Sequence, residues 1–129
     1  MQKTTVYLDE GTYRRLKRLA KARRRAPAAI LPEVDYLLAS HLGAKAQSVF
    51  LIDLAEGAYA VDWGQDEDLT AAQKICARYP NLGLGFVDAM VIAAAERLKA
   101  EAIATLDLRH FASVAIRGNP RLLPRDATT

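Results

Sequence analysis

At 129 residues, the chain is long enough for one domain and too short for two ordinary ones. Its 51% hydrophobic and 26% charged residues are typical of a soluble globular protein, and no apolar run reaches the roughly 18 residues that a membrane span needs. A single cysteine, Cys76, excludes an internal disulfide, and the polar start has no apolar signal core. We therefore expect a cytoplasmic protein with no membrane association.

Charge is divided unevenly along the chain. Nine of the 18 Lys and Arg residues lie in residues 1–30, where the only acids are Asp9 and Glu10. The net charge of +3 is therefore the sum of a basic N-terminal segment (9 − 2 = +7) and an acidic remainder (3 − 7 = −4). Such a basic segment favours a nucleic-acid partner. The alternative is a basic helix face that is simply solvated.

The first predicted elements are a strand and a helix. Residues 3–8 alternate polar with apolar side chains, which predicts a half-exposed strand. Asp9 is a candidate N-cap for a helix that continues to Ala22. Pro32 would cost about 3 kcal/mol inside a helix but nothing at its first position. We therefore predict a short strand or extended segment over residues 28–31, and a helix over residues 33–41 that Pro32 starts.

The middle and the end of the chain are expected to supply the scaffold. Helical periodicity predicts one helix over residues 44–56 and another over residues 68–79, the second capped by Asp66 or Asp68. Short strands are predicted over residues 59–63 and 121–123, and a single helical turn over residues 109–113.

Residues 83–107 predict an apolar helix followed by a strand that runs back beside it. Asp88 lies at the start of the helix and Asp107 at the end of the strand. A helix over residues 88–99 spans about 16–18 Å, and a strand over residues 102–107 returns about the same distance. Asp88 and Asp107 should therefore lie at one edge of the sheet, where open α/β sheets bind ligands. A divalent metal between them would relieve their repulsion. His110 is interpreted as a structural residue rather than a general base.

The string TTVYLDEGTYRRLKRLAKARRRAPAAI resembles the start of ribbon-helix-helix repressors, the DNA-binding half of many bacterial antitoxins. That resemblance implies a homodimer whose paired strands enter the major groove. It also implies that Lys3, Thr5 and Tyr7 face the base edges and that the helix arginines, Arg14 and Arg18 among them, contact DNA phosphate or solvent.

Three further motifs, LPEVDYLLASHLG, GFVDAMVIAAAERL and IATLDLRHF, resemble PIN-domain ribonucleases of the VapC toxin type in both order and spacing. The resemblance implies an α/β three-layer sandwich around a central parallel sheet. It also implies RNA cleavage with Mg²⁺ or Mn²⁺ and an antitoxin partner. By motif, Glu33, Asp88 and Asp107 correspond to the family's metal-binding and catalytic acids.

The first PIN strand, which normally ends in a metal-binding aspartate, is replaced here by the ribbon-helix-helix-like segment. We therefore predict a fusion of residues 1–30 with a PIN-like domain over residues 31–129, packed as one compact unit. Residues 4–8 either fill the PIN sheet, which would make Asp9 a metal ligand, or pair across a dimer axis. The expected function is an endoribonuclease, weak or inactive if that first acid is lost. The alternative is a dimeric DNA-binding protein without catalysis.

Overall fold

The computed structural model describes residues 25–105 and 107–127. The chain divides into two compact units, one ending at Trp63 and the other beginning at Gly64. The predicted first strand and basic helix lie outside the described residues, together with Asp9, Lys3, Thr5, Tyr7, Arg14 and Arg18. None of the helices in the described part of the chain is long and apolar enough to span a bilayer.

The unit that ends at Trp63 contains a parallel strand pair and a helical hairpin. Its elements are strand β1 (Arg25–Pro27), a 3-10 turn (Ala28–Ile30), helix α1 (Leu31–Leu42), helix α2 (Ala44–Ala55) and strand β2 (Ala60–Asp62). Strands β1 and β2 run parallel, with Arg25 opposite Ala60 and Pro27 opposite Asp62.

The extended segment predicted over residues 28–31 is wrong. The strand lies just before it, where Pro27 has φ −60° and ψ 131°, and residues 28–30 already turn into a helical path. A proline holds φ near −65° and disfavours helix for the residue before it, so Ala26 and Pro27 are the extended positions. Pro32 lies in the first turn of α1, as predicted, because the missing N–H is not needed there.

Helices α1 and α2 pack against each other, and Val34 and Leu38 on α1 and Phe50 on α2 are buried. Gly43 makes the sharp turn between them with φ 93° and ψ 176°, a conformation that a side chain would strain. Gln47 Nε2 donates a hydrogen bond to Asp35 Oδ1 over 2.9 Å and so joins the two helices by their polar sides.

The unit that begins at Gly64 is built around a buried helix. Its elements are helix α3 (Asp66–Arg78), helix α4 (Phe86–Arg97), strand β3 (Ala102–Ala104), the short helix α5 (Leu108–Phe111) and strand β4 (Arg121–Leu123). Strands β3 and β4 are parallel, with Ile103 opposite Leu122. Small and aliphatic side chains are buried almost all round α4, namely Ala89, Val91, Ile92, Ala93, Ala94 and Ala95. An apolar helix of this kind belongs in the core.

Helix α3 is fastened to α4 by an ion pair between Asp68 and Arg97. The Arg97 guanidinium donates from Nε to Asp68 Oδ1 over 2.9 Å and from a terminal nitrogen to Oδ2 over 3.0 Å. Asp68 also accepts a hydrogen bond from the Gln65 backbone N–H. The predicted cap at Asp66 or Asp68 is wrong, because Gln65 is the N-cap and Asp68 reaches back to it from inside the helix.

Arg97 also changes the acidity of its partner. Its hydrogen bonds to the carboxylate hold the pKa of Asp68 below its ordinary value, against the opposing effect of burial. Asp68 therefore stays ionised and paired at neutral pH.

The described fold is α/β with parallel strand pairing, as the sequence predicts. The helices predicted over residues 44–56, 68–79 and 88–99 are all present, the last two beginning two residues earlier, and the strand over residues 121–123 is present with the same ends. In the described ranges the parallel strands form two two-stranded ladders, β1–β2 and β3–β4. A single central sheet completed by residues 4–8 stays a prediction.

Candidate metal centre

Asp88 is held inside the protein at the start of α4. It is the acidic residue of the first helical turn, which follows Gly85, and its side chain is only 5% exposed. The partial positive charge at a helix start favours a carboxylate in this position. The packed apolar surface of α4 leaves the acid little freedom to move away.

Asp107 follows β3 in the chain and caps the N-terminus of α5. Its Oδ1 accepts a hydrogen bond from the His110 backbone N–H over 3.2 Å. Its own backbone N–H donates to Thr105 Oγ1 over 3.0 Å, and Thr105 is fully buried. These two contacts set the position of the carboxylate.

His110 lies between the two acids. Its Nδ1 is 3.0 Å from Asp88 Oδ2 and also 3.0 Å from Asp107 Oδ2, and its side chain is 4% exposed. The hydrogen bond of the ring nitrogen is directed to Asp88. Asp107 Oδ2 is buried and accepts no hydrogen bond from any residue that the structure describes. A buried carboxylate oxygen without a hydrogen bond raises the free energy of the folded protein unless a cation or a water molecule supplies its partner.

The three side chains fit a divalent cation. One ligand atom from each of Asp88, Asp107 and His110 lies within 4.8 Å of the others. Two neighbouring ligands at about 2.1 Å from one octahedral ion are roughly 3.0 Å apart, the separation found here between Nδ1 and each carboxylate oxygen. The donor set, two carboxylates and one imidazole, is one that divalent metals accept.

The structure thus brings Asp88 and Asp107 together at the place that the element lengths indicate. Glu33 lies in the first turn of α1, in the unit that ends at Trp63, and its Oε1 is shielded from solvent. Its assignment to the site stays a prediction, as does that of Asp9. Sequence reasoning missed the contact of His110 with both acids. The signal was its spacing, since residues three apart on a helical turn are neighbours.

Comparison with known proteins gives a family match and a similar protein. The family described as PIN domain matches residues 5–117, so the matched range begins inside the segment that resembles ribbon-helix-helix repressors. Ribonuclease VapC26 of Mycobacterium tuberculosis is 32% identical over 92 residues, which are 71% of this chain and 68% of that protein. The match to most of the chain, together with this degree of identity, shows that the chain belongs to the PIN domain family.

Proposed function

We propose that the chain is a metal-dependent endoribonuclease of the PIN toxin type. One observation carries the proposal: two buried carboxylates converge, one in the first turn of α4 and one at the cap of α5, and Asp107 Oδ2 accepts no hydrogen bond from the described residues. Membership of the PIN family and similarity to a VapC ribonuclease support RNA as the substrate.

Asp88 and Asp107 would hold the metal through carboxylate oxygens. Mg²⁺ or Mn²⁺, when bound, lowers the pKa of a coordinated water and balances charge on the phosphate. The chain contributes a rigid setting. The hydrogen bonds with Thr105 and with the His110 backbone N–H fix Asp107. Asp88 is fixed because it belongs to α4, a helix whose side chains are mostly buried. Preset ligands of this kind need no rearrangement during the reaction.

RNA binding would use the exposed surface next to these acids. Arg109 is exposed on α5, two residues after Asp107, and could pair with phosphate oxygens of a bound strand. Glu33 is proposed as a third acid of the site, by motif, with Asp9 as a further ligand. A cognate antitoxin and a homodimeric state are proposed from the same resemblance. DNA binding by residues 1–30 stays a prediction that lies outside the described residues.

The test combines metal binding with RNA cleavage in the full chain. Asp88→Asn and Asp107→Asn should each lower Mn²⁺-dependent cleavage at least about 100-fold, because each removes a charged ligand. Asp66→Asn is the matched control, since Asp66 is also a first-turn helix acid but is exposed. Glu33→Gln and Asp9→Asn test the two further acids. Cleavage by Asp88→Asn at the wild-type rate, or a wild-type chain that binds no metal, would contradict the proposal.

A further inference from the structure

The candidate centre contains a nitrogen ligand as well as carboxylates. His110 Nδ1 lies 3.0 Å from Asp88 Oδ2 and 3.0 Å from Asp107 Oδ2, so one atom faces both acids. The ring is buried on α5, next to the core residue Phe111. The imidazole therefore cannot swing out to solvent without disturbing the packing around it.

The oxygens that face the imidazole are the ones best placed for a metal. Asp107 Oδ1 is used by the cap of α5, which leaves Oδ2 to bind a cation, and Oδ2 is the oxygen next to Nδ1. Asp88 likewise presents Oδ2 to the same nitrogen. A cation that replaces the ring hydrogen between these atoms would meet all three.

We propose that His110 binds the metal directly through Nδ1, and that this third ligand makes the centre prefer Mn²⁺ over Mg²⁺. The inference rests on the proposed metal-dependent function. Mg²⁺ is a hard cation that favours oxygen and gives up its water reluctantly. Transition metals accept imidazole more readily, and a neutral imidazole with its proton on Nε2 has a lone pair free on Nδ1.

A competing role is that of a positioning residue. In that case Nδ1–H would keep donating to Asp88 Oδ2 beside Asp107, while the metal is held through oxygen alone. The two roles differ in a measurable way, because only direct coordination places a nitrogen nucleus on the metal and only direct coordination changes the choice between Mn²⁺ and Mg²⁺.

The first experiment is pulsed electron paramagnetic resonance of the Mn²⁺-loaded, untagged full chain, with and without ¹⁵N-labelled histidine. The chain has only two histidines, and His41 is exposed on α1 in the unit that ends at Trp63. We expect a histidine nitrogen coupling to Mn²⁺ that survives His41→Asn and disappears in His110→Asn. Bound Mn²⁺ without any histidine coupling would overturn the inference.

The second experiment measures the dissociation constants of Mn²⁺ and Mg²⁺ by calorimetry. His110→Asn places an amide oxygen near the position of Nδ1. We expect it to weaken Mn²⁺ binding at least about tenfold while Mg²⁺ binding changes much less. His41→Asn should alter neither. An equal loss for both metals would assign His110 to positioning and overturn the inference.

These outcomes separate the inference from the proposed function. If Mn²⁺-dependent cleavage needs Asp88 but the spectra show no histidine nitrogen coupling, the proposed nuclease function stands and only the proposed role of His110 as a ligand is refuted. A wild-type chain that binds neither metal removes both. Because a histidine coupling in His41→Asn can come only from His110, the result does not depend on whether His110→Asn folds.

Discussion

Replacing Asp68 by alanine should weaken the unit that begins at Gly64 more than any change of an exposed acid. The side chain of Asp68 is 4% exposed and accepts three hydrogen bonds, two from Arg97 and one from the Gln65 backbone. Breaking one side of a buried ion pair costs about 3–5 kcal/mol. The Arg97 side chain is 25% exposed and can regain water, so we expect a loss near the lower limit, about 3 kcal/mol.

Urea unfolding followed by circular dichroism measures this loss. Asp66→Ala is the control, because Asp66 is exposed in the same helical turn and should contribute less than about 1 kcal/mol through the helix dipole. Asp68→Ala combined with Arg97→Ala should cost less than the two single losses added together, since each single change removes the same ion pair. An Asp68→Ala protein as stable as Asp66→Ala would refute the reasoning.

Three further predictions follow from the same contacts. The pKa of Asp68 is lower in the folded protein than in the unfolded chain. The difference in unfolding free energy between wild type and Asp68→Asn should therefore be complete above the unfolded-state pKa of about 3.9 and fade as pH falls through the folded-state pKa. Urea unfolding at a series of pH values measures this difference. Hydrogen bonds from Arg125 and the Leu122 N–H lower the pKa of Asp126 to about 2, so the Leu122 amide shift should titrate near pH 2 in nuclear magnetic resonance spectra, and a midpoint near 4 would contradict the contact. Phe111→Ala should lower stability by about 3–5 kcal/mol in thermal or urea unfolding, because Phe111 is 1% exposed and its loss leaves a cavity.

Much of the fold can be read from local patterns. Helix α4 is predictable because its apolar run has no polar face, and β3 because a short apolar segment follows it directly. The predicted helix over residues 88–99 and the predicted strand over residues 102–107 span similar distances, which predicts that Asp88 and Asp107 meet, although β3 itself covers only Ala102–Ala104. The same reasoning fails at residues 28–31, where four apolar residues between Pro27 and Pro32 carry no periodicity, and at Gln65, an uncommon N-cap residue.

The contact of His110 with both acids was harder to predict. Its spacing from Asp107 is local, but the approach to Asp88 depends on how α5 lies against α4, which no short-range pattern specifies. For the same reason, the sequence motif assigns Glu33 to the site without supplying a distance. Tertiary packing decides which polar groups meet.

The alanines buried along α4 have a consequence for how this protein can vary. Ala89, Ala93, Ala94 and Ala95 let neighbouring elements approach the helix backbone closely, and a bulkier side chain at any of them would push those elements apart. Since Asp88 lies in the first turn of this helix, such a displacement would also misplace the acid. A randomly mutagenised library selected for function should therefore recover few replacements at these four positions, although none of them carries a reactive group.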